Sequence, residues 1–286
     1  MQKSEERLKV IENIKNALVE GNLNKKVELN DPVITEEQRE KEILHFDILR
    51  NNPIKRIKRI VARNIARNYT KMFNMKTEII GLENLKNINS GAIITSNHFN
   101  PKDSTVIMHA TNKVRKTNHL DIVIEEENVF MKGQFGFLMN NCSTIPVNKS
   151  TKYWNDNFIP SVEKLLKNRD LILIYPEEQM WFNYRKPRKL KIGAYHIAAK
   201  FNVPVIPCFT EMREIKEEYD DDGFNKIRYI LHIMPAIYPD PNKDIRINKK
   251  EMRDKDYKAK VEAYEEAYGK KLSYNFENED IAGFVD

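Results

Sequence analysis

The sequence has little that would tie it to an oxidising compartment or carry it through a bilayer. Only two cysteines, Cys142 and Cys208, occur in 286 residues, far apart and in no Cys-x-x-Cys pair. A disulfide framework is therefore not expected, and both are expected to be buried thiols of a reducing compartment. The opening stretch MQKSEERLKV is charged from the start and holds no signal-like apolar run. The longest apolar runs, 171–175 (LILIY) and 203–209, fall far short of the roughly 20 residues a membrane span needs. No internal repeat, low-complexity segment or recognised nucleic-acid module is present, and aromatics do not interleave with the basic stretches. A cytoplasmic chain is expected, peripheral on the inner face of the cell membrane and without a nucleic-acid partner.

What is present is a moderately apolar, basic chain. Hydrophobic residues make up 41% and charged residues 31%, with a net charge of +6. That excess favours anionic partners such as nucleic acid, a phosphorylated metabolite or an anionic membrane surface. The length suits one substantial domain plus an extension. Residues 1–50 carry the pattern of two polar helices joined by a linker at 22–32, the second opening at Thr35 with Gln38 completing a capping box. Over 53–73, Ile54, Ile57, Val61, Ile65, Tyr69 and Met72 recur at helical spacing beside a basic stripe of Arg56, Arg59, Arg63, Arg67 and Lys71. No acidic residue lies between Asp47 and Glu78. Such a helix suits a membrane interface, apolar face down and cations toward phosphates, or equally the flank of its own domain.

From residue 76 onward, short β-rich runs alternate with helical ones. Strands are expected at 76–80, 92–95, 120–125, 144–147, 171–175, 203–207 and 228–234, and helices at 103–114, 130–141, 155–168, 190–201 and 249–271. This predicts an α/β fold: a single domain with a mixed, largely parallel sheet flanked by helices, plus an N-terminal helical extension. The expected division is 1–50 extension, 51–75 basic helix, 76–245 α/β domain and 246–286 C-terminal helix and tail.

Chemistry is expected where strands give way to loops. The segment Thr95-Ser96-Asn97-His98-Phe99-Asn100-Pro101-Lys102-Asp103 follows a strand directly, and Asn100-Pro101 enforces a loop before the next helix. An imidazole there can take a proton from a hydroxyl, and a carboxylate five residues on can fix its tautomer. The plainer alternative is an Asp capping a helix beside a surface His. Three further clusters follow: 130–133 with 145–149 (IPVNK), 175–178 (YPEE) with 189–194 (KLKIGA), and 203–207 (VPVIP).

In this order the four blocks resemble the glycerolipid acyltransferase family, over about residues 76–240. The first is similar to that family's Asn-His-x-x-x-x-Asp signature and the second to its Ile-Pro-Val-x-Arg block, with Lys149 in the Arg position. The third resembles its Phe-Pro-Glu-Gly-Thr-Arg block followed by Phe-Lys-x-Gly-Ala, and the fourth its Val-Pro-Ile-x-Pro strand. The resemblance implies transfer of a fatty acyl group from acyl-CoA or acyl carrier protein to a hydroxyl of a glycerophospholipid precursor such as 1-acyl-glycerol-3-phosphate. It implies His98 as general base, Asp103 as its orienting carboxylate, and no metal or other cofactor. Substrate-binding residues are expected at Asn97, Lys149, Glu177, Arg185, Lys191 and Gly193. Glu177 has a second possible use, holding its loop through backbone N–H groups.

The third block departs from the family pattern: Glu178-Gln179-Met180 stands where the family has Gly-Thr-Arg. Among the cations just downstream, Arg185 is the expected replacement for the missing phosphate ligand. The departure keeps open a non-phosphorylated acceptor, and a non-catalytic protein that binds an anionic surface of membrane or nucleic acid. Trp181, Phe182 and Tyr184 are expected to pack, and His196 and His232 to be structural. His109, His119 and Asp121 match no strong metal-ligand spacing with His98.

Overall fold

Seven of the apolar runs pair into one sheet in the computed structural model, which describes residues 3–29, 35, 53–114, 120–131, 133–148 and 150–284. The strands are β1 Glu78–Ile80, β2 Ala92–Thr95, β3 Leu120–Glu125, β4 Thr144–Val147, β5 Leu171–Ile174, β6 Val205–Tyr219 and β7 Asn225–Ile233. Their spatial order is β1-β7-β6-β2-β5-β3-β4. Every neighbouring pair is parallel except β6 with β7. Side-chain alternation in the central strands feeds two cores. Ile94, Leu171 and Leu173 point into one, while Ile93 and Ile172 point into the other. Burial on both faces is why β2 (AIIT) and β5 (LILI) are continuous apolar runs rather than alternating ones.

Helices close both faces. The helices α1 Glu5–Val19, α2 Pro53–Phe73, α3 Leu82–Lys86, α4 Ser104–Val114, α5 Gly133–Asn141, α6 Ile159–Lys167, α7 Gly193–Phe201 and α8 Ile245–Tyr268 follow in chain order. A π-helical turn, Trp154–Phe158, leads into α6. Leu85 of α3 and Val106, Ile107 and Ala110 of α4 fill the first core. Val162 and Leu166 of α6, Tyr195 and Ala198 of α7 and Met252 of α8 fill the second. Beyond Thr35 itself, the helix expected to open there falls outside the described residues.

Two parts of the chain depart from expectation. The strand expected at 203–207 continues to Tyr219 and forms a hairpin with β7, closed by a turn with Gly223 at φ 81°. Its outer half, EIKEEY, is largely exposed, so pairing with β7 rather than burial makes it a strand. Cys142 is only partly buried, whereas Cys208 is buried; both are free thiols. Along α1, Val10, Ile11 and Ile14 form a third core with Trp181, Phe182, Tyr184, Phe224 and Ile281. No helix among the described residues is long and apolar enough to cross a membrane.

Candidate active site

β2 runs parallel to both of its neighbours, β5 and β6, so their C-terminal ends share one edge of the sheet. The loop after β2 turns back on itself there, and His98 Nδ1 lies 2.8 Å from Asp103 Oδ2. The same oxygen accepts the main-chain N–H groups of Phe99 at 3.0 Å and Asn100 at 3.3 Å. Asp103 stands immediately before α4, yet its carboxylate is turned upstream into the loop rather than onto the first N–H groups of the helix. It binds the histidine instead of capping the helix. With Nδ1 donating to Asp103, Nε2 carries the lone pair, and among the described residues no hydrogen-bond partner meets it. The imidazole is 22% exposed while Asp103 is 3% exposed, so a solvent-accessible ring is held by a buried carboxylate.

Tyr175, the residue after β5, completes this cluster. Its ring stacks on His98 with centroids 4.1 Å apart and planes 17° from parallel, and its hydroxyl donates to Asp103 Oδ1 at 2.6 Å. Burial, and then the charge of Asp103, push the phenol far above the usual tyrosine range.

Behind the loop sits a buried ion pair. Glu177 and Arg188 meet at 2.8 Å with side chains 2% and 1% exposed. Glu177 Oε2 also accepts from His98 N at 3.2 Å, and Oε1 accepts from Arg188 N at 2.8 Å. Arg188 in turn donates to the carbonyl of His98 at 3.3 Å, to that of Leu23 at 3.2 Å, and to that of Gln179. The guanidinium lies over the Trp181 ring, 4.5 Å from its centroid. The pair thus grips the histidine by both its main-chain N–H and its carbonyl. Burial lowers the Arg188 pKa, opposed by the adjacent Glu177 carboxylate.

The other expected binding residues are distributed as follows. Asn97 is buried and staples the loop after β2 to β6, its amide donating to Thr210 O at 3.1 Å and accepting from Thr210 N at 2.8 Å. Glu177 is wholly engaged in holding its loop. Arg185 pairs with Glu214 at 2.6 Å and lies over the Tyr268 ring. Lys191 is half exposed and 3.8 Å from Glu178. Gly193 is the first residue of α7. Lys149 lies outside the described residues; β4, which precedes it, ends on the same sheet edge as β2. Among the described residues no three His, Cys, Asp or Glu side chains gather into a metal-binding cluster.

Tyr175 and Arg188 were the residues whose roles spacing did not reveal. Tyr175 occupies the place of the family's Phe in the third block, and its added hydroxyl was the available signal. Arg188 was one of five cations within seven residues, with nothing local to mark it as the buried one.

Residues 76–211 match the family model described as Acyltransferase. The structure is similar to the crystal structure of the 1-acyl-sn-glycerophosphate (LPA) acyltransferase PlsC from Thermotoga maritima. The TM-score is 0.53 and the identity 16%, over 82% of this chain and 90% of that chain. No curated protein matches this sequence.

Proposed function

Residues 76–211 match the acyltransferase family model, and on that premise we propose that the chain moves a fatty acyl group from an acyl thioester to a hydroxyl of a glycerophospholipid precursor, foremost 1-acyl-glycerol-3-phosphate. The observation that carries this reading is the His98–Asp103 contact at the C-terminal edge of the sheet, with Nε2 turned away from the acid. In this mechanism Nε2 takes the proton of the acceptor hydroxyl as its oxygen attacks the thioester carbonyl. Asp103 holds Nδ1–H and stabilises the imidazolium that forms. Collapse of the tetrahedral intermediate breaks the carbon–sulfur bond, and the imidazolium returns its proton to the departing thiolate. Acyl-CoA or acyl carrier protein serves as donor, and the step needs no metal.

The acceptor and the acyl chain would reach this edge from a membrane surface. α2 carries a buried side, Ala62 and Thr70, and an outward row of Ile57, Ile60, Val61, Ile65 and Met72. An exposed apolar row of this length, accompanied by Lys58, Arg67 and Lys71, suits an anionic lipid surface. The end of the helix reaches the catalytic loop: Phe73 packs on Tyr229, Tyr229 packs on Phe99, and Lys102 lies over the Phe73 ring.

A second reading has its own support. Arg185, the expected phosphate ligand, is taken up by Glu214, and Glu178 brings negative charge beside the site. Both favour an acceptor without a phosphate at that position. Incubation of the purified chain with acyl-CoA or acylated carrier protein and a panel of acceptors decides between them. The panel comprises lysophospholipids, glycerol 3-phosphate and neutral alcohols, with products read by mass spectrometry. Acylated lysophosphatidic acid supports the first reading, an acylated neutral alcohol alone supports the second, and no product with any acceptor contradicts both.

A further inference from the structure

The His98–Asp103 pair is fixed from three directions, and two of them come from one side chain. The loop supplies the Phe99 and Asn100 N–H groups to Asp103 Oδ2, which fixes one carboxylate oxygen. The other oxygen, Oδ1, receives the Tyr175 hydroxyl at 2.6 Å. The same phenol ring covers the imidazole face at 4.1 Å. Tyr175 therefore touches both members of the pair while standing just after β5, on a different segment from the loop that carries them.

We propose that Tyr175 is a positioning residue for the general base, locking the Asp103 carboxylate through its hydroxyl and the His98 ring through its face. The inference rests on the reading of His98 as the base. The phenol transfers no proton. It donates to Oδ1 throughout, so the carboxylate cannot rotate away from Nδ1 when the imidazole becomes charged. Its hydrogen bond also spreads the carboxylate's negative charge over a further donor. A phenylalanine at this place would give the stacking without the restraint.

The groups around the pair leave this assignment intact. Tyr229 of β7 senses the Asp103 charge but is itself pushed far up by burial. Cys208 of β6, beside Tyr175, is pushed up to about 12 by burial and stays neutral. Glu177 and Arg188 neutralise each other and meet His98 through its main chain. Lys102 is exposed and turned toward Phe73.

The test is a pH titration of the His98 imidazole in the full chain by 15N NMR, with the signal assigned by its loss in His98→Ala. Tyr175→Phe removes one donor and concentrates charge on the carboxylate facing the imidazolium. The titration midpoint should then rise by about half a pH unit or more. Adding Tyr175→Phe to Asp103→Asn should produce no such rise, because the hydroxyl acts through the carboxylate. With 1-acyl-sn-glycerol 3-phosphate and oleoyl-CoA, Tyr175→Phe should lower kcat about tenfold with KM within about twofold. A Tyr175→Phe midpoint equal to that of the unaltered chain overturns the proposal. Should that variant fail to fold, the phenol proton of the unaltered chain decides. A protected downfield signal that vanishes in Asp103→Asn supports the contact, and absence of such a signal overturns it. An active His98→Ala would overturn the general-base reading instead, whereas an inactive His98→Ala with an unmoved midpoint would remove Tyr175 alone.

Discussion

At the scale of single residues, the site depends on one carboxylate that accepts from four donors: His98 Nδ1, the N–H groups of Phe99 and Asn100, and the Tyr175 hydroxyl. Asp103→Asn keeps the shape but turns part of this acceptor into a donor, and it permits the wrong histidine tautomer. The expected outcome is a folded protein whose kcat is lower by about 10²–10⁴; circular dichroism and steady-state kinetics check the two halves. Arg188 matters through folding. Arg188→Met would leave the Glu177 carboxylate buried without its cation and release the carbonyls of Leu23, His98 and Gln179. A loss of about 3–5 kcal/mol in unfolding free energy is expected, read from denaturant midpoints. His98 and Asp103 were legible as a pair because they are five residues apart and share one loop. Arg188 was not: its partner carbonyl at Leu23 lies 165 positions away, and no local pattern separates a buried arginine from its exposed neighbours.

At the scale of elements, sequence periodicity was most informative where the environment was simplest. β2 and β5 are buried on both faces, and their uninterrupted apolar runs announced them. The outer half of β6 carries EIKEEY, a pattern with no buried face to alternate against, and only its partner β7 makes it a strand. The basic amphipathic character of α2 was equally plain, and the structure leaves its apolar row outward. If this face lies on lipid, Ile65→Asp combined with Met72→Asp should abolish co-sedimentation with vesicles containing phosphatidylglycerol. Lys71→Ala should weaken partitioning by about 1 kcal/mol, roughly fivefold, at low salt. Equal binding of all variants to such vesicles would exclude α2 as the contact.

At the scale of the whole molecule, both ends of the chain brace the edge of the sheet that carries His98. From the N-terminal side, the Asn24 amide donates to the carbonyls of Glu177 and Lys189, and the Lys25 carbonyl accepts from Trp181 Nε1. From the C-terminal side, α8 sends Asp256 and Lys260, both fully buried, to the end of β2. Thr95 Oγ1 donates to Asp256 at 2.6 Å and accepts from Lys260 at 2.9 Å, while the Tyr195 hydroxyl also donates to Asp256 at 2.6 Å. Lys260→Met strips the cation from this buried network and should lower stability by about 3–5 kcal/mol. Thermal unfolding should remain a single transition, because α8 packs directly on α7 and β6. Long-range bracing of this kind is invisible to spacing, since it joins residues more than 150 positions apart.

The measurement that bears most directly on the central claim is acyl transfer by a folded His98→Ala variant, compared with the unaltered chain on the best acceptor found by mass spectrometry. An imidazole acting as the base predicts a loss of at least about 10²-fold, with the thermal transition intact. Substantial transfer by the folded variant would contradict it.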